Sequence, residues 1–317
     1  MRWWVDAWNP AYGSSFEPGE GGPSKETSAT IDLSVEVPAG SWHAVQPKAG
    51  VRAPSRVYLV DGVQRRDATL WSVEEDGSSL PGLAASFAAG VVRCDLGDGG
   101  AEVVEARVER RLFTASRTAP GLSTGQVDYR VHQVDITDPV RLGRAVQAPL
   151  TDLEIRTSES ARAGDHEDLL IVDGPLRTRR ALPRTIGYIK TQQGSYLPAA
   201  QAGVVTGLRP GERSPVFRVA QALHDGYSWY LRLPGPAGAP WTGIARVQCS
   251  LELTPEQAIR LADVSAVTLP RLASSSYKDP RAPQNLVPIG GLERRLRAML
   301  GDARFLHRSL LAAAARA

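Results

Sequence analysis

Two short apolar runs in this chain end in the same three residues, Val-Asp-Gly. One is "RVYLVDGVQRR" at residues 56–66, and the other is "LLIVDGPLRTRR" at residues 169–180. Continuous apolar runs of this length are typical of buried strands, and Asp-Gly is a common turn signal. The pattern predicts two buried strands that end at Asp61 and Asp173, each followed by an arginine-rich polar segment.

Alternation of apolar and polar positions predicts a β-rich first half of the chain. An early strand is predicted at "IDLSVEV", residues 31–37. Three consecutive strands, expected to form an antiparallel meander, follow the first Val-Asp-Gly, and "DLGDGGAEV" predicts a hairpin turn between the last two. The three are "ATLWSVEE", "GLAASFAAGVVRCDL" and "AEVVEARVERRLFTAS".

The second half mixes helices with strands. A helix is predicted over residues 149–163, and the apolar "DLLIVDG" after it is typical of a strand buried on both faces of a parallel sheet. Thr254, Pro255 and Glu256 form a helix-start signal, and the last 29 residues, from "IGGLERR" on, predict one or two closing helices. Strands are also predicted at "RTIGYIK", "PVFRVAQAL", "SWYLRL" and "GIARVQCSLEL".

Composition narrows the class of protein only slightly. With 317 residues, 42% hydrophobic and 22% charged, the chain resembles a soluble globular protein, and a net charge of +3 does not by itself identify a nucleic-acid binder. Its two cysteines, Cys94 and Cys249, suit buried positions in a reducing compartment. No apolar run is long enough to span a membrane and no secretory signal is present, so a cytoplasmic location is expected.

Carboxylates at the ends of neighbouring central strands are expected to meet in one crevice. Close carboxylates repel one another unless a cation joins them or one binds a proton, and Mg²⁺ or Mn²⁺ suits oxygen ligands. Such an ion serves phosphoryl chemistry, and nearby arginines would then contact phosphate, although a solvated surface also explains them. These arginines are Arg65, Arg66, Arg177, Arg179 and Arg180.

A third acidic ligand is expected from the helix that precedes the second strand. Glu154 lies 19 positions before Asp173, and an antiparallel helix can bring it beside that residue. Glu159 is the competing candidate on the same helix.

The order of these elements resembles the NurA nucleases. The similarity covers roughly residues 50–300 and lies in the two Asp-Gly strands, in "RTIGYIKTQQGSYLP" and in "YKDPRAPQNLVPIGGLERRLRAMLGD". The resemblance implies an α/β fold with an RNase H-like core and added β-rich insertions. It also implies Mn²⁺-dependent cleavage of DNA, a homodimer, and a hexameric ATPase partner of the HerA type. Residues 1–30 would form a flexible or docking segment ahead of a NurA-like domain at 31–317.

Carried over by position, the resemblance makes Asp61, Glu154 and Asp173 the metal-binding acids. Lys190 falls where the family tends to carry a basic residue that would hold a phosphate or leaving oxygen. Many NurA proteins have a histidine near the C-terminus where this chain has Glu293, which could substitute for it. Two further candidates stay open, and these are Tyr230 as an active-site tyrosine and Asp279 as an alternative acid.

The sequence therefore predicts a divalent-metal DNA nuclease, a 5′–3′ exonuclease, an endonuclease or both, that acts in DNA end processing. The replaced histidine supports an alternative, in which the chain is a catalytically weakened module that clamps DNA or docks an ATPase. A third interpretation keeps the metal site and changes the substrate to RNA or a nucleotide. The candidate docking segments are "RWWVDAW" near the N-terminus and "FLHRSLLAAAARA" at the C-terminus.

Overall fold

A computed structural model describes residues 6–12, 14, 29–162, 168–176, 182–191, 197–220, 225–235 and 238–316. The fold is mixed α/β, with a large mixed sheet and flanking helices. The strands are β1 (Thr30–Asp32), β2 (Arg56–Val73), β3 (Ser79–Asp95), β4 (Gly100–Thr114), β5 (Leu122–Ser123), β6 (Asp128–Gln133), β7 (Leu169–Asp173), β8 (Thr185–Ile189), β9 (Phe217–Ala220), β10 (Gly226–Arg232) and β11 (Ile244–Cys249). The α-helices are α1 (Pro139–Leu142), α2 (Gln147–Ala161), α3 (Ala199–Thr206), α4 (Pro255–Thr268), α5 (Val287–Met299) and α6 (Ala303–Ala314).

The strand order is β1-β9-β10-β11-β8-β7-β2-β3-β4-β6-β5. Strands β7 and β8 pair in parallel, with Asp173 opposite Tyr188. Strands β4 and β6 are also parallel, whereas β8, β11, β10, β9 and β1 pair antiparallel in succession. The predicted parallel character of the second Val-Asp-Gly strand is thus confirmed.

The chain divides into two compact units. The first contains Met1–Leu59, Arg93–Glu102 and Gly164–Gly290, and the second contains Val60–Val92, Val103–Ala163 and Gly291–Ala317. Clusters of buried apolar side chains lie in both units, so each has a hydrophobic core of its own.

The core of the second unit is built on both faces of β3. Phe87 and its alternate neighbours pack with Leu150 and Leu153 of α2, whereas Ala84 packs with Leu310 of α6 on the other side. Successive side chains of a strand point to opposite faces, so a continuous apolar run such as β3 is stable only when both faces are covered.

The core of the first unit contains a group of aromatic rings. Tyr230 stacks on Phe217 with ring centroids 5.8 Å apart and meets Trp241 edge-on at 6.1 Å. Tyr230 is 1% exposed, so its ring contributes to this core. Trp8 is buried as well, and its Nε1 donates a hydrogen bond to Gln284 Oε1 at 2.9 Å.

Local signals place the helices close to their predicted positions. Thr254 and Gln257 form a reciprocal capping box at the start of α4, with Pro255 in its first turn. Helix α2 begins two residues before Pro149, which is compatible because the first four N–H groups of a helix have no intrahelical partner. One or two closing helices were predicted, and the structure has two, α5 and α6.

Two strand predictions need correction. Strand β2 does not end at Asp61 but continues through Gly62 to Val73, so the first Asp-Gly is not a turn. Strand β1 covers only Thr30–Asp32, rather than residues 31–37. The second Asp-Gly does end its strand, and Gly174 there has a φ of +108°, a left-handed value that favours glycine.

Both cysteines are free, and both are buried, as predicted. Burial, with the nearby negative charge of Asp95, raises the pKa of the Cys94 thiol to about 11. Burial alone raises the pKa of the Cys249 thiol to about 12. Within the described ranges, none of the helices combines the length and the apolar character needed to cross a bilayer.

A buried charge network lies in the first unit. Arg213 donates to Asp263 Oδ1 at 2.7 and 2.9 Å and to both carboxylate oxygens of Glu36 at 2.8 and 2.9 Å. Its side chain is 1% exposed. Burial by itself would lower the pKa of Arg213, but the hydrogen bonds and charges of Glu36 and Asp263 outweigh it and raise the pKa above its usual value. The guanidinium therefore stays charged.

Replacing Arg213 with alanine should destabilise the chain strongly, because two carboxylates would lose their buried partner. Breaking such a network by removing one member typically costs about 3–5 kcal/mol. The midpoint of urea unfolding, followed by circular dichroism, measures the loss. Arg218→Ala is the matched control, since Arg218 is exposed on β9, and its effect should stay within about 0.5 kcal/mol. Equal midpoints for the two variants would contradict the assigned role.

Candidate metal centre

Three carboxylates lie together. Asp61, Asp173 and Glu293 each offer one oxygen, and these oxygens are all within 4.8 Å of one another. The convergence of Asp61 and Asp173 expected from the two Val-Asp-Gly runs is present, and Glu293 is the third acid of the group. Each of the three is partly buried.

Asp61 lies in the middle of β2, and its position depends on the small residue that follows. The backbone N–H of Gly62 donates to Asp61 Oδ1 at 2.8 Å. A Cβ atom at Gly62 would overlap with Glu154 Oε1 and come 2.7 Å from Leu150 Cδ1. Glycine here leaves room for two buried side chains of α2 and does not form a turn.

Glu154, the helical acid predicted from sequence, is buried on α2 beside Gly62. It is not a member of the three-carboxylate group found among the described residues. Its competitor Glu159 is exposed on the same helix. The metal-binding role of Glu154 stays a prediction, and its observed contact is with the residue next to Asp61.

Asp173 is held at the end of β7 by a chain of polar contacts. Lys190 Nζ lies 2.6 Å from Asp173 Oδ2 and 3.0 Å from Asn285 Oδ1. Asn285, which is fully buried, donates from Nδ2 to Asp279 Oδ2 at 2.6 Å. Lys190 therefore lies next to the predicted acid, and Asp279 is connected to it through Asn285.

Tyr188 completes the surroundings of Asp173. Burial, and then the negative charge of Asp173, raise the pKa of Tyr188 well above 10. The phenol therefore remains protonated, and its hydroxyl donates to the backbone oxygen of Gln284 at 2.6 Å. This bond ties β8 to the segment that carries Asn285.

Sequence reasoning missed Tyr188 and Asn285. Both lie inside segments that carry the resemblance, in "GYIK" and "PQNLVP". A buried amide that bridges a lysine and an aspartate leaves no periodic signal, because its role depends on contacts between residues 95 positions apart.

Glu293 is carried by α5, whose C-terminal end is held by arginines. Arg65 donates to the carbonyls of Gly301 at 2.7 Å and Leu300 at 3.1 Å, and Arg110 donates to Leu300 at 3.3 Å. The last carbonyls of a helix lack intrahelical partners and carry partial negative charge, so cations are favourable there. Arg65 also pairs with buried Asp67 at 2.7 Å. The guanidinium of Arg65 is therefore already engaged in contacts within the chain. Its contact with DNA stays a prediction.

The other residues predicted to act at the site are not members of the three-carboxylate group. Arg66 is exposed, and its guanidinium lies against Gly143. Tyr230 belongs to the aromatic core of the first unit, and its predicted role in a site stays a prediction. Arg177, Arg179 and Arg180 lie outside the described residues.

The donor set fits a hard divalent cation. Three carboxylates carry three negative charges, and the ammonium group of Lys190 is paired with one of them, Asp173. Like charges 4–5 Å apart repel by about 3–4 kcal/mol per pair at an effective dielectric constant near 20. In an octahedral Mg²⁺ site with bonds of about 2.1 Å, opposite ligands lie about 4.2 Å apart, which agrees with oxygens confined within 4.8 Å.

Comparisons with known proteins do not identify a family for this chain. No protein-family model matches the chain, and no curated protein matches it. Among solved structures, it is similar to endonuclease V from Bacillus subtilis, with 13% identity, a TM-score of 0.35 and coverage of 81% of this chain and 84% of that chain. It is also similar to the catalytic domain of human endonuclease V, with 15% identity, a TM-score of 0.33 and coverage of 82% and 92%. A likeness at these TM-scores carries no functional information about this chain.

Gly62→Ala should destabilise the chain, because the added methyl group would displace the side chains of Glu154 and Leu150. Overpacking of this kind typically costs about 1–3 kcal/mol. Thermal unfolding measures the change. The control is Gly203→Ala in α3, where a Cβ meets nothing within 4 Å and should be neutral or stabilise by about 0.4–1 kcal/mol. Unchanged stability of Gly62→Ala would show that the contact with α2 is not required.

Proposed function

We propose that this chain is a divalent-metal-dependent DNA nuclease of the NurA type with an RNase H-like core. The observation that supports the proposal is the group of three carboxylates within 4.8 Å, with Lys190 Nζ at 2.6 Å from Asp173. Acidic oxygen ligands with a neighbouring cationic side chain are the elements that metal-assisted phosphodiester hydrolysis needs. The order of the two Asp-Gly segments, the helix and the lysine strand along the chain supports the family.

Asp61, Asp173 and Glu293 would hold Mn²⁺ or Mg²⁺. When bound, such an ion activates water and neutralises the charge that develops on the phosphate oxygens. Glu154 is our proposed helper beside Asp61, either as a further ligand or through the packing that keeps Asp61 in place.

The cationic side chains act on the substrate. Lys190 is held beside Asp173 by its bond to Asn285, so its ammonium group presents a fixed positive charge to a phosphodiester bound at the carboxylates. The side chain of Arg66, which makes no hydrogen bond or ion pair with the described residues, can contact a flanking phosphate. The strand would therefore be bound mainly through its backbone charge, with affinity that falls as salt rises.

We also propose a homodimer that works with a hexameric ATPase of the HerA type in DNA end processing. The support is the resemblance in motif order, together with exposed apolar residues on α6, where Phe305 is 40% and Leu311 is 61% exposed. Trp8 of the N-terminal candidate segment is buried against Gln284, so α6 is the better docking candidate. Trp3 and Trp4 lie outside the described residues.

Asp61→Asn and Asp173→Asn should each abolish Mn²⁺-dependent degradation of linear DNA while the fold survives. Each change removes one anionic ligand but keeps the size of the side chain. Degradation is measured on end-labelled DNA with Mn²⁺ or with EDTA, and folding by the urea midpoint. The control is Asp98→Asn, in the exposed turn between β3 and β4, which should keep full activity. Undiminished cleavage by the Asp61→Asn, Asp173→Asn double variant would refute the proposal.

The ion pair between Lys190 and Asp173 favours a second candidate function. If that pair and Asn285 already satisfy Asp173, the chain could clamp DNA or dock an ATPase without metal chemistry. The presence of Glu293 where many NurA proteins have a histidine is consistent with this alternative.

Calorimetric titration with Mn²⁺ separates the two functions. The nuclease requires a saturable binding event that disappears in Glu293→Gln and persists in Asp98→Asn, because only Glu293 belongs to the carboxylate group. Absence of binding by the unmodified chain between pH 6 and 8 would favour the clamp and overturn the nuclease.

A further inference from the structure

A pocket of about 590 Å³ in the second unit is lined by charged side chains, of which only Arg110 has been given a role above. Strand β4 supplies Glu109, Arg110 and Arg111, β6 supplies Asp128 and Arg130, and α2 supplies Arg156. We call it the arginine pocket. Its four arginines outnumber its two carboxylates, so it carries a surplus of about two positive charges.

The pairing of the strands brings these arginines together. Strands β4 and β6 run parallel with Arg111 directly opposite Arg130. Like charges opposite one another on neighbouring strands are destabilising, and an anion between them would relieve the repulsion. The sequence gives no direct signal of this arrangement, because it arises from the register of two strands.

Part of the arginine pocket is rigidly held. Glu109 accepts hydrogen bonds from Arg111 Nη2 and Arg156 Nη2, both at 2.7 Å. Burial alone would raise the pKa of Glu109, but these two arginines outweigh it and lower the pKa. Glu109 is therefore ionised at neutral pH and keeps both guanidinium groups in fixed positions.

A neutral histidine fixes the other side of Arg111. Burial, and then the positive charge of Arg111, lower the pKa of His132. The ring is therefore neutral at pH 7, and Arg111 Nη1 can donate to its Nδ1 across 2.9 Å. The guanidinium of Arg111 also lies over the ring of Phe87, 5.9 Å from the centroid. A cation anchored on three sides is oriented before any ligand arrives.

One guanidinium of the arginine pocket has no acceptor of its own. Arg130 is exposed, and its side chain makes no hydrogen bond or ion pair with the residues that the structure describes. Arg110 also lines the pocket, but its Nη2 already donates to the carbonyl of Leu300 at 3.3 Å. The fixed guanidinium of Arg111 and the unpaired one of Arg130, opposite each other at one pocket, suit a phosphate, which accepts bidentate hydrogen bonds.

We propose that the arginine pocket binds a backbone phosphate of the nucleic-acid strand, separately from the three carboxylates. The proposal rests on the proposed function for the identity of the strand as DNA. The pocket lining is mainly charged, with Val108 and Val131 as its apolar members, so it offers little surface to a base. Recognition of the backbone here would be independent of sequence.

The test measures binding in EDTA, so that it does not depend on metal or on cleavage. A fluorescein-labelled 20-nucleotide single strand is titrated with the full chain and with Arg130→Ala at several salt concentrations. We expect about a tenfold loss of affinity and a salt slope smaller by about 0.7, the value for one lost phosphate contact on a single strand. Arg117→Ala removes an exposed arginine from a loop of the same unit and is the matched control, expected to bind as the unmodified chain does.

Two further measurements distinguish a phosphate of the DNA backbone from free inorganic phosphate as the ligand of the arginine pocket. A methylphosphonate oligonucleotide of the same sequence, whose backbone is uncharged, should bind equally weakly to Arg130→Ala and to the unmodified chain. Inorganic phosphate should compete with DNA for the unmodified chain more than for Arg130→Ala. Equal DNA affinity and equal salt slopes for Arg130→Ala and Arg117→Ala would overturn the proposal, and so would a variant that loses phosphate competition but binds DNA normally.

The result of this binding test can be separated from the result of the test for nuclease activity. Loss of DNA binding in Arg130→Ala supports the arginine pocket even if no metal-dependent cleavage is ever observed. Conversely, cleavage that requires Asp61 can be present in a chain whose Arg130 has no effect on affinity. The urea midpoint of Arg130→Ala should be unchanged or slightly raised, because the side chain has no partner to lose among the described residues and its repulsion from Arg111 is removed.

Discussion

Electrostatic repulsion among carboxylates is the constraint on which the candidate site depends. Three acidic side chains whose oxygens lie within 4.8 Å are stable as anions only if positive charge is nearby. The protein supplies one such charge through Lys190, which is itself held by Asn285. The grouping of three carboxylate oxygens is the physical reason to infer a divalent cation, and this inference does not depend on any distant structural relative.

Several neighbouring features serve to hold these acids in place. Gly62 lets α2 approach β2 closely beside Asp61, and Gly174 ends β7 just after Asp173. Arg65 and Arg110 bind the carbonyls at the C-terminal end of α5, the helix that carries Glu293. Close packing, a turn and helix capping thus each fix one carboxylate.

The sequence predicted the elements better than it predicted the roles of single residues. Apolar runs and capping residues located β3, β7 and α4, because those signals are local. The turn predicted at the first Asp-Gly was wrong, since the reason for Gly62 is a contact with a helix almost ninety residues later. Asn285 could not be found for the same reason, and Arg111 and Arg130 become neighbours only through the register of β4 and β6.

The two buried thiols have a practical consequence for experiments on this chain. With pKa values raised to about 11 and about 12, Cys94 and Cys249 hold almost no thiolate at neutral pH, and the thiolate is the reactive form. Both side chains are also shielded from reagents, with 3% and 0% exposure. A single cysteine introduced on the surface should therefore take up a maleimide fluorophore selectively, without prior removal of the native thiols.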